Sequence, residues 1–223
     1  MGVAIPFSEA LRERANEERN GIGANGRSAS ERFMTSLLTG PGSREDYIAM
    51  VAQNFFVYDA LERAAAARAD DPVASLFIEP ALTRIPAIRE DLRFLLGEDW
   101  REIIVPLPTT TRYVERIDTV AATTAGGFIA HHYTRYLGDL SGCAIVRTLM
   151  QRRFGFETNG VGFYLFAGIA KPKEFKSTYR AQLDRVGWSE EERGRVLDEV
   201  ALAYRLTEEL FADLAASCAT RAA

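Results

Sequence analysis

Apolar residues recur along this chain at the three- and four-residue spacing of helices, and helix-starting residues stand where those runs begin. Ser43 followed by Asp46 is an N-terminal cap signal, and Met50, Val51, Phe55, Tyr58 and Leu61 follow at helical spacing. Lys173 to Val186 reads as another helix, closed by Gly187. Ser189 and Glu192 form a capping box, beyond which Val200, Tyr204, Thr207, Phe211 and Leu214 share one side of a long helix. Strand signals are few: no Asn-Gly turn joins two alternating runs, and TYR, YRL and FYLF are short. The pattern predicts an all-α fold of roughly seven to nine helices in a single domain over residues 1–223. The Ala-rich end, AASCATRAA, is expected to fray.

Composition narrows the class. The chain has 223 residues, 47% hydrophobic and 26% charged, which suits a real core and excludes disorder as the default. With 27 Lys+Arg against 31 Asp+Glu, the net charge of −4 argues against a nucleic-acid surface. The start, MGVAIPF, lacks the charged and apolar regions of a signal peptide, and Pro6 stands where a myristoylation signal needs Ser or Thr. No run approaches the roughly 18 apolar residues that span a bilayer, so no membrane partner is expected. Two cysteines, Cys143 and Cys218, make no disulfide framework, and the expectation is a cytoplasmic protein. The two histidines, His131 and His132, are adjacent. A metal cluster drawing histidines from several helices, such as a di-iron site, is therefore excluded.

The segment from Phe128 to Met150 has helical periodicity yet carries Gly138 and Gly142 on one face. Each interior glycine costs about 1 kcal/mol relative to alanine. Two readings follow from the spacing: a large flat group approaches the backbone there, or a neighbouring helix packs closely. Asp139 and Ser141 lie beside that face and supply polar groups.

The run AHHYTRYLGDLSG, Ala130 to Gly142, resembles the signature of the heme oxygenases. So do SEALRERANEE near the start, FMTSLL at 33–38, YDALE at 58–62, RYVERI at 112–117 and KEFKSTYR at 173–180. The resemblance spans about residues 7–214 in consistent order. It implies an all-helical fold with heme between a proximal helix and a glycine-containing distal helix. The implied reaction is cleavage of heme to biliverdin, CO and Fe²⁺ with O₂ and an external electron donor, a reductase or a ferredoxin-type protein; the family-like state is a monomer. Carried over by position, Gly138 and Gly142 let the distal helix lie on the porphyrin, and Asp139 orders the waters that bring protons to the oxygen. Tyr58, Tyr113 and Arg135 support that network, and Thr207 stands where many relatives carry an asparagine. Lys176, Arg180 and Tyr133 match the positions that hold the propionates, with Arg12 a further basic group nearby. Lys176 and Arg180 are four apart and so face the same way.

The chain departs from this family where it matters most. The proximal iron ligand is a histidine on the first helix, and no histidine precedes residue 131 here. Aligning from SEALRERANEER puts Arg19 at the ligand position, whereas aligning from RFMTSLL puts Asn25 there, so an insertion near 20–28 is expected to break the helix. Arginine offers no lone pair, and an amide oxygen is a weak ligand. His131 and His132 precede Gly138 by roughly 9–10 Å along a helix, and read as structural. Cys143 stands where relatives carry another glycine; a thiolate can ligate heme, but a buried cysteine usually behaves as a small hydrophobe. GIGANG at 21–26 matches G-x-G-x-x-G but follows a charged helix rather than a strand, so it reads as a loop and not a nucleotide site. Three functional readings stay open: a heme-cleaving oxygenase, a non-catalytic heme- or tetrapyrrole-binding protein that has lost its proximal ligand, and a helical scaffold of this kind turned to another metal or substrate.

Overall fold

A computed structural model describes residues 5–23 and 26–222. Ten α-helical segments follow one another: α1 Phe7–Gly23, α2 Ala29–Thr39, α3 Arg44–Ala67, α4 Ile85–Leu96, α5 Trp100–Ile103, α6 Pro108–Thr123, α7 Ala125–His132, α8 Gly138–Phe154, α9 Pro172–Arg185 and α10 Glu190–Ala222. No strand occurs among the described residues. The all-α expectation holds. The segment number exceeds the expected seven to nine because α5 is a single turn and the Phe128–Met150 helix is divided. A π turn over Tyr133–Leu137 separates α7 from α8, a local change of pitch that apolar periodicity does not register.

The helix starts are where local chemistry puts them. Ser43 accepts from the Asp46 N–H while Asp46 accepts from the Ser43 N–H, closing a capping box on α3. Ser28 and Glu31 do the same for α2, and Ser189 with Glu192 for α10. Proline occupies the first turn of α4, α6 and α9, where a missing N–H costs nothing. Gly155, at φ 72°, ends α8 in the left-handed conformation. α1 ends at Gly23 and α2 begins at Ala29, within the stretch near 20–28 where a break is expected. One helix runs past its expected end. α10 stays helical to Ala222, held by buried Leu214 and Cys218 where the alanine-rich composition suggested fraying.

α3 runs through the middle of the bundle, burying Tyr47, Met50, Val57, Tyr58 and Leu61, with α4, α6 and α7 packed around it. α10 lies along α1, α2, α6 and α7. One contiguous apolar core joins these elements. Arg84, just before α4, and Asp91 within it are buried and hold the loop between α8 and α9. Asp91 accepts the backbone N–H of Gly162 at 2.9 Å and of Phe163 at 2.8 Å. Arg84 donates to the carbonyls of Phe163 and Leu165 at 3.2 and 2.8 Å, with its guanidinium 3.8 Å from the Phe166 ring centre. Glu62 of α3 accepts the N–H of Ile85 at 3.0 Å and so pins the start of α4. Asp91→Ala leaves two backbone donors without an acceptor in a dry setting. It is expected to lower stability by about 2–4 kcal/mol, read from the urea midpoint by circular dichroism.

Candidate functional site

A cleft opens where α2, α3, α8, α10 and the 162–164 turn converge. Met34 of α2, Met50 and Asn54 of α3, Phe163 and Tyr164 of the turn, and Tyr204, Thr207 and Phe211 of α10 form three of its sides. The fourth is the face of α8 that carries Gly138, Asp139, Gly142 and Cys143.

The glycines decide between the two sequence readings. A Cβ at Gly138 or at Gly142 would meet nothing within 4 Å. Neither glycine is there to admit a neighbouring helix; both leave bare backbone facing open space. Gly126 and Gly127 show the contrast, since a Cβ there would come 2.7 Å from Val196 Cγ2 and from the Val120 carbonyl oxygen respectively. Close packing is thus achieved on α7, and a smooth exposed floor on α8. A flat ligand is what such a floor accommodates.

Asp139 stands on this floor with one partner, the Tyr58 hydroxyl, which donates to Oδ2. Burial with little compensation pushes its carboxyl well above the ordinary carboxylate range. Arg135 donates to Asn54 Oδ1 at 2.8 Å, and its guanidinium carbon lies 5.1 Å from the Tyr58 ring centre. Its Nε has no partner, nor has the fully buried Tyr113 hydroxyl, which lies beside Thr207. The Thr207 hydroxyl itself donates to the Ala203 carbonyl at 2.9 Å. Orphaned donors of this kind are the places where ordered water is held. Cys143 lines the same floor as a buried thiol, which burial first and Asp139 second push far above its usual range, outweighing the opposing pull of Arg84 and Arg135. It stays protonated, as a small hydrophobe does.

At one edge, basic groups gather. Lys176 donates to Ser141 Oγ at 2.9 Å, tying α9 to α8. Its ammonium is pushed below the usual lysine range first by desolvation and then by the Arg180 and Lys173 charges. Arg180 faces the Tyr133 hydroxyl and leaves its own Nε unpartnered. Arg12 is felt at Tyr133 too, although its guanidinium pairs with Glu9 at 3.1 Å on the exposed side of α1. The edge can hold two carboxylates.

Both histidines are occupied away from the cleft. His131 Nε2 lies 2.8 Å from Glu199 Oε1, and His132 Nδ1 lies 2.9 Å from the Tyr179 hydroxyl. Desolvation pushes His132 down to about 3. Of the two residues that compete for the family's ligand position, Asn25 lies outside the described residues. Arg19 lies on α1, and its Nη2 donates to the Tyr204 hydroxyl at 3.4 Å. A larger cleft, about 620 Å³, lies between α6, α7 and α10. Its central charges neutralise each other through the Arg116–Glu199 pair, and it contains none of the expected site residues.

The sequence reading passed over Asn54, Met34, Tyr204 and Phe211. Asn54 had a signal: it interrupts an apolar face at four-residue spacing between Met50 and Tyr58. The other three are apolar or aromatic at helical spacing, which cannot be told from core.

An all-helical bundle whose glycine floor faces a carboxyl, with cations at the rim, defines a protein built to hold a large planar anion. The family model for heme oxygenase matches residues 6–213. "Heme oxygenase 1" of Rattus norvegicus is 34% identical over 213 residues, covering 94% of this chain and 72% of its own. "Heme oxygenase 1" of a Synechocystis strain is likewise 34% identical, over 82% of this chain and 76% of its own. The crystal structure of heme oxygenase-1 from Synechocystis in complex with heme superposes with a TM-score of 0.86 at 30% identity, covering 97% of this chain and 96% of that one. Heme oxygenase from Leptospira interrogans gives 0.83 at 29% identity, over 93% and 98%. The chain belongs to the heme oxygenase family.

Filling the floor should separate folding from binding. Gly142→Leu is expected to keep or raise the urea midpoint, since helix propensity gains up to about 1 kcal/mol. The same change should weaken hemin binding more than about tenfold, measured by Soret titration.

Proposed function

We propose that this protein cleaves heme to biliverdin, CO and ferrous iron, using O₂ and electrons from a separate reductase or ferredoxin-type donor. The observation that carries the reading is the pairing of a bare glycine floor at Gly138 and Gly142 with the carboxyl of Asp139 beside it. Heme supplies the iron on which O₂ is activated and is itself the substrate consumed. The protein's part is to seat it, keep the cleft apolar and bring protons to one place.

Each residue follows from its setting. Gly138 and Gly142 let the macrocycle approach the α8 backbone without a Cβ in the way. Burial raises the Asp139 carboxyl above the ordinary carboxylate range, which favours its acting as a proton donor and not only as an anchor. Tyr58 fixes the carboxyl's orientation from α3. The unpartnered Tyr113 hydroxyl and Arg135 Nε position water between Thr207 and Asp139. Lys176 and Arg180, with Tyr133, take the propionates; Arg12 joins them by leaving Glu9. Cys143 contributes apolar surface and no ligand.

A heme-binding protein without catalysis is not favoured. The chain matches heme oxygenases over nearly its whole length, and beside the glycine floor it keeps the carboxyl of Asp139, which mere storage of heme does not need. We take the chain as one domain of this family, monomeric and cytoplasmic. No described helix is long and apolar enough to cross a membrane.

The test is aerobic turnover of the hemin complex with a reductase system or ascorbate, followed by biliverdin absorbance and by CO capture. Asp139→Asn is expected to cut biliverdin formation about 100-fold or more, the usual share of a positioned acid, with heme affinity within a few fold. Stability should move the other way. A raised carboxyl means that the folded form binds a proton which the unfolded form has lost, so stability falls as pH rises above the ordinary carboxylate range. At pH 7 the Asn variant should therefore have the higher urea midpoint, and the gap should close toward pH 4. Equal midpoints at both pH values, with biliverdin formed at the parental rate, would remove Asp139 from the mechanism.

A further inference from the structure

No imidazole among the described residues reaches the cleft, since His131 and His132 are bound to Glu199 and Tyr179. The residue that one alignment register sets at the family's ligand position, Arg19, is not idle. Its guanidinium reaches from α1 to α10, donating to the Tyr204 hydroxyl at 3.4 Å and standing 5.8 Å from the ring centre. Tyr204 in turn lines the cleft, on the same α10 face as Thr207 and Phe211. We infer that Tyr204 is the axial ligand of ferric heme in this protein, with Arg19 as the fixed cation beside its phenolate. The inference rests on the heme reading above.

The other candidate donors of the cleft are weaker on chemical grounds. Cys143 sits on the glycine floor itself, where a ligand would take the place of O₂, and burial keeps its thiol protonated despite Arg84 and Arg135. Met34 and Met50 offer neutral thioethers, which bring no charge to the ferric centre. Tyr164 is buried at the end of the cleft and hydrogen-bonded toward Tyr47. Tyr204 combines three properties: a half-buried position on a cleft wall, an oxygen that becomes anionic, and a guanidinium already in contact. Phenolate is an established type of axial ligand to heme iron. An arginine keeps its charge throughout, so it favours the anion without competing for the metal.

The step balances simply. The Tyr204 O–H bond breaks, its oxygen bonds ferric iron in place of water or another exchangeable ligand, and the proton leaves to solvent. Arg19 remains protonated, and no electron moves. α1 and α10 pack along each other, so the two side chains are held together by the same contact that closes the bundle.

Hemin titrated into the full-length protein tests this without turnover. Resonance Raman spectra of the ferric complex, excited in its charge-transfer band, should show phenolate ring modes. Tyr204→Phe should lose those modes and bind hemin about tenfold more weakly. Arg19→Gln, on an exposed side chain, should keep the fold and lose about threefold, the scale of a solvent-exposed charge contact. A saturable complex lacking phenolate modes, or one whose spectrum survives Tyr204→Phe unchanged, overturns the ligand assignment and leaves heme binding standing. Absence of saturable binding in the parent protein overturns the heme reading as well. The parental Raman spectrum and Arg19→Gln keep the inference testable should Tyr204→Phe fail to fold.

Discussion

The π turn at Tyr133–Leu137 is the constraint on which the site depends. A helix that kept one pitch from Ala125 to Phe154 would carry a single buried stripe along its length. The wider turn shifts the phase between its two halves. Before it, Phe128, His131 and His132 point into the core against α6, α9 and α10. After it, Gly138, Asp139 and Gly142 face the cleft. One continuous stretch of helix therefore serves as packing element and as ligand floor. The turn also places Tyr133 at the basic edge beside Arg180.

Around that floor the protein accepts local instability. A half-buried carboxyl takes a tyrosine hydroxyl as its partner, and a tyrosine hydroxyl and an arginine Nε go without partners. Two interior glycines weaken the helix that holds them. These costs, on the order of 1 kcal/mol for each glycine and 1–3 kcal/mol for each unsatisfied group, fall on one cleft. The remainder of the bundle is conservatively built, with three reciprocal capping boxes and a contiguous core.

Much of this was legible in the sequence. Ser43, Ser189 and the apolar spacing located α3, α9 and α10 to within a residue or two, because caps and amphipathic faces are local signals. The glycines pointed to a special face on α8, yet spacing left close packing as an equal reading. What decided it was the empty space above each glycine, a property of distant helices rather than of neighbouring residues. The π turn was invisible, since a change of pitch leaves apolar periodicity nearly intact over five residues. The helical C-terminus went unforeseen because composition argued against it, and burial of Leu214 and Cys218 overrode it. Tyr204 was visible only as one member of an apolar stripe; what sets it apart is its contact with Arg19, 185 positions away in sequence but adjacent in space.

The clamp on the turn at 162–165 has a consequence for how such a cleft can change. Arg84 and Asp91 grip that turn only through its peptide groups, so its path is set from α4 whatever side chains it displays. Phe163 and Tyr164 can then be exchanged for other residues without the turn losing its seat. The wall they form is in effect a replaceable panel on a fixed frame. A lineage, or an engineer, can alter the shape presented to the ligand there while the hydrogen bonds that carry the panel remain the same.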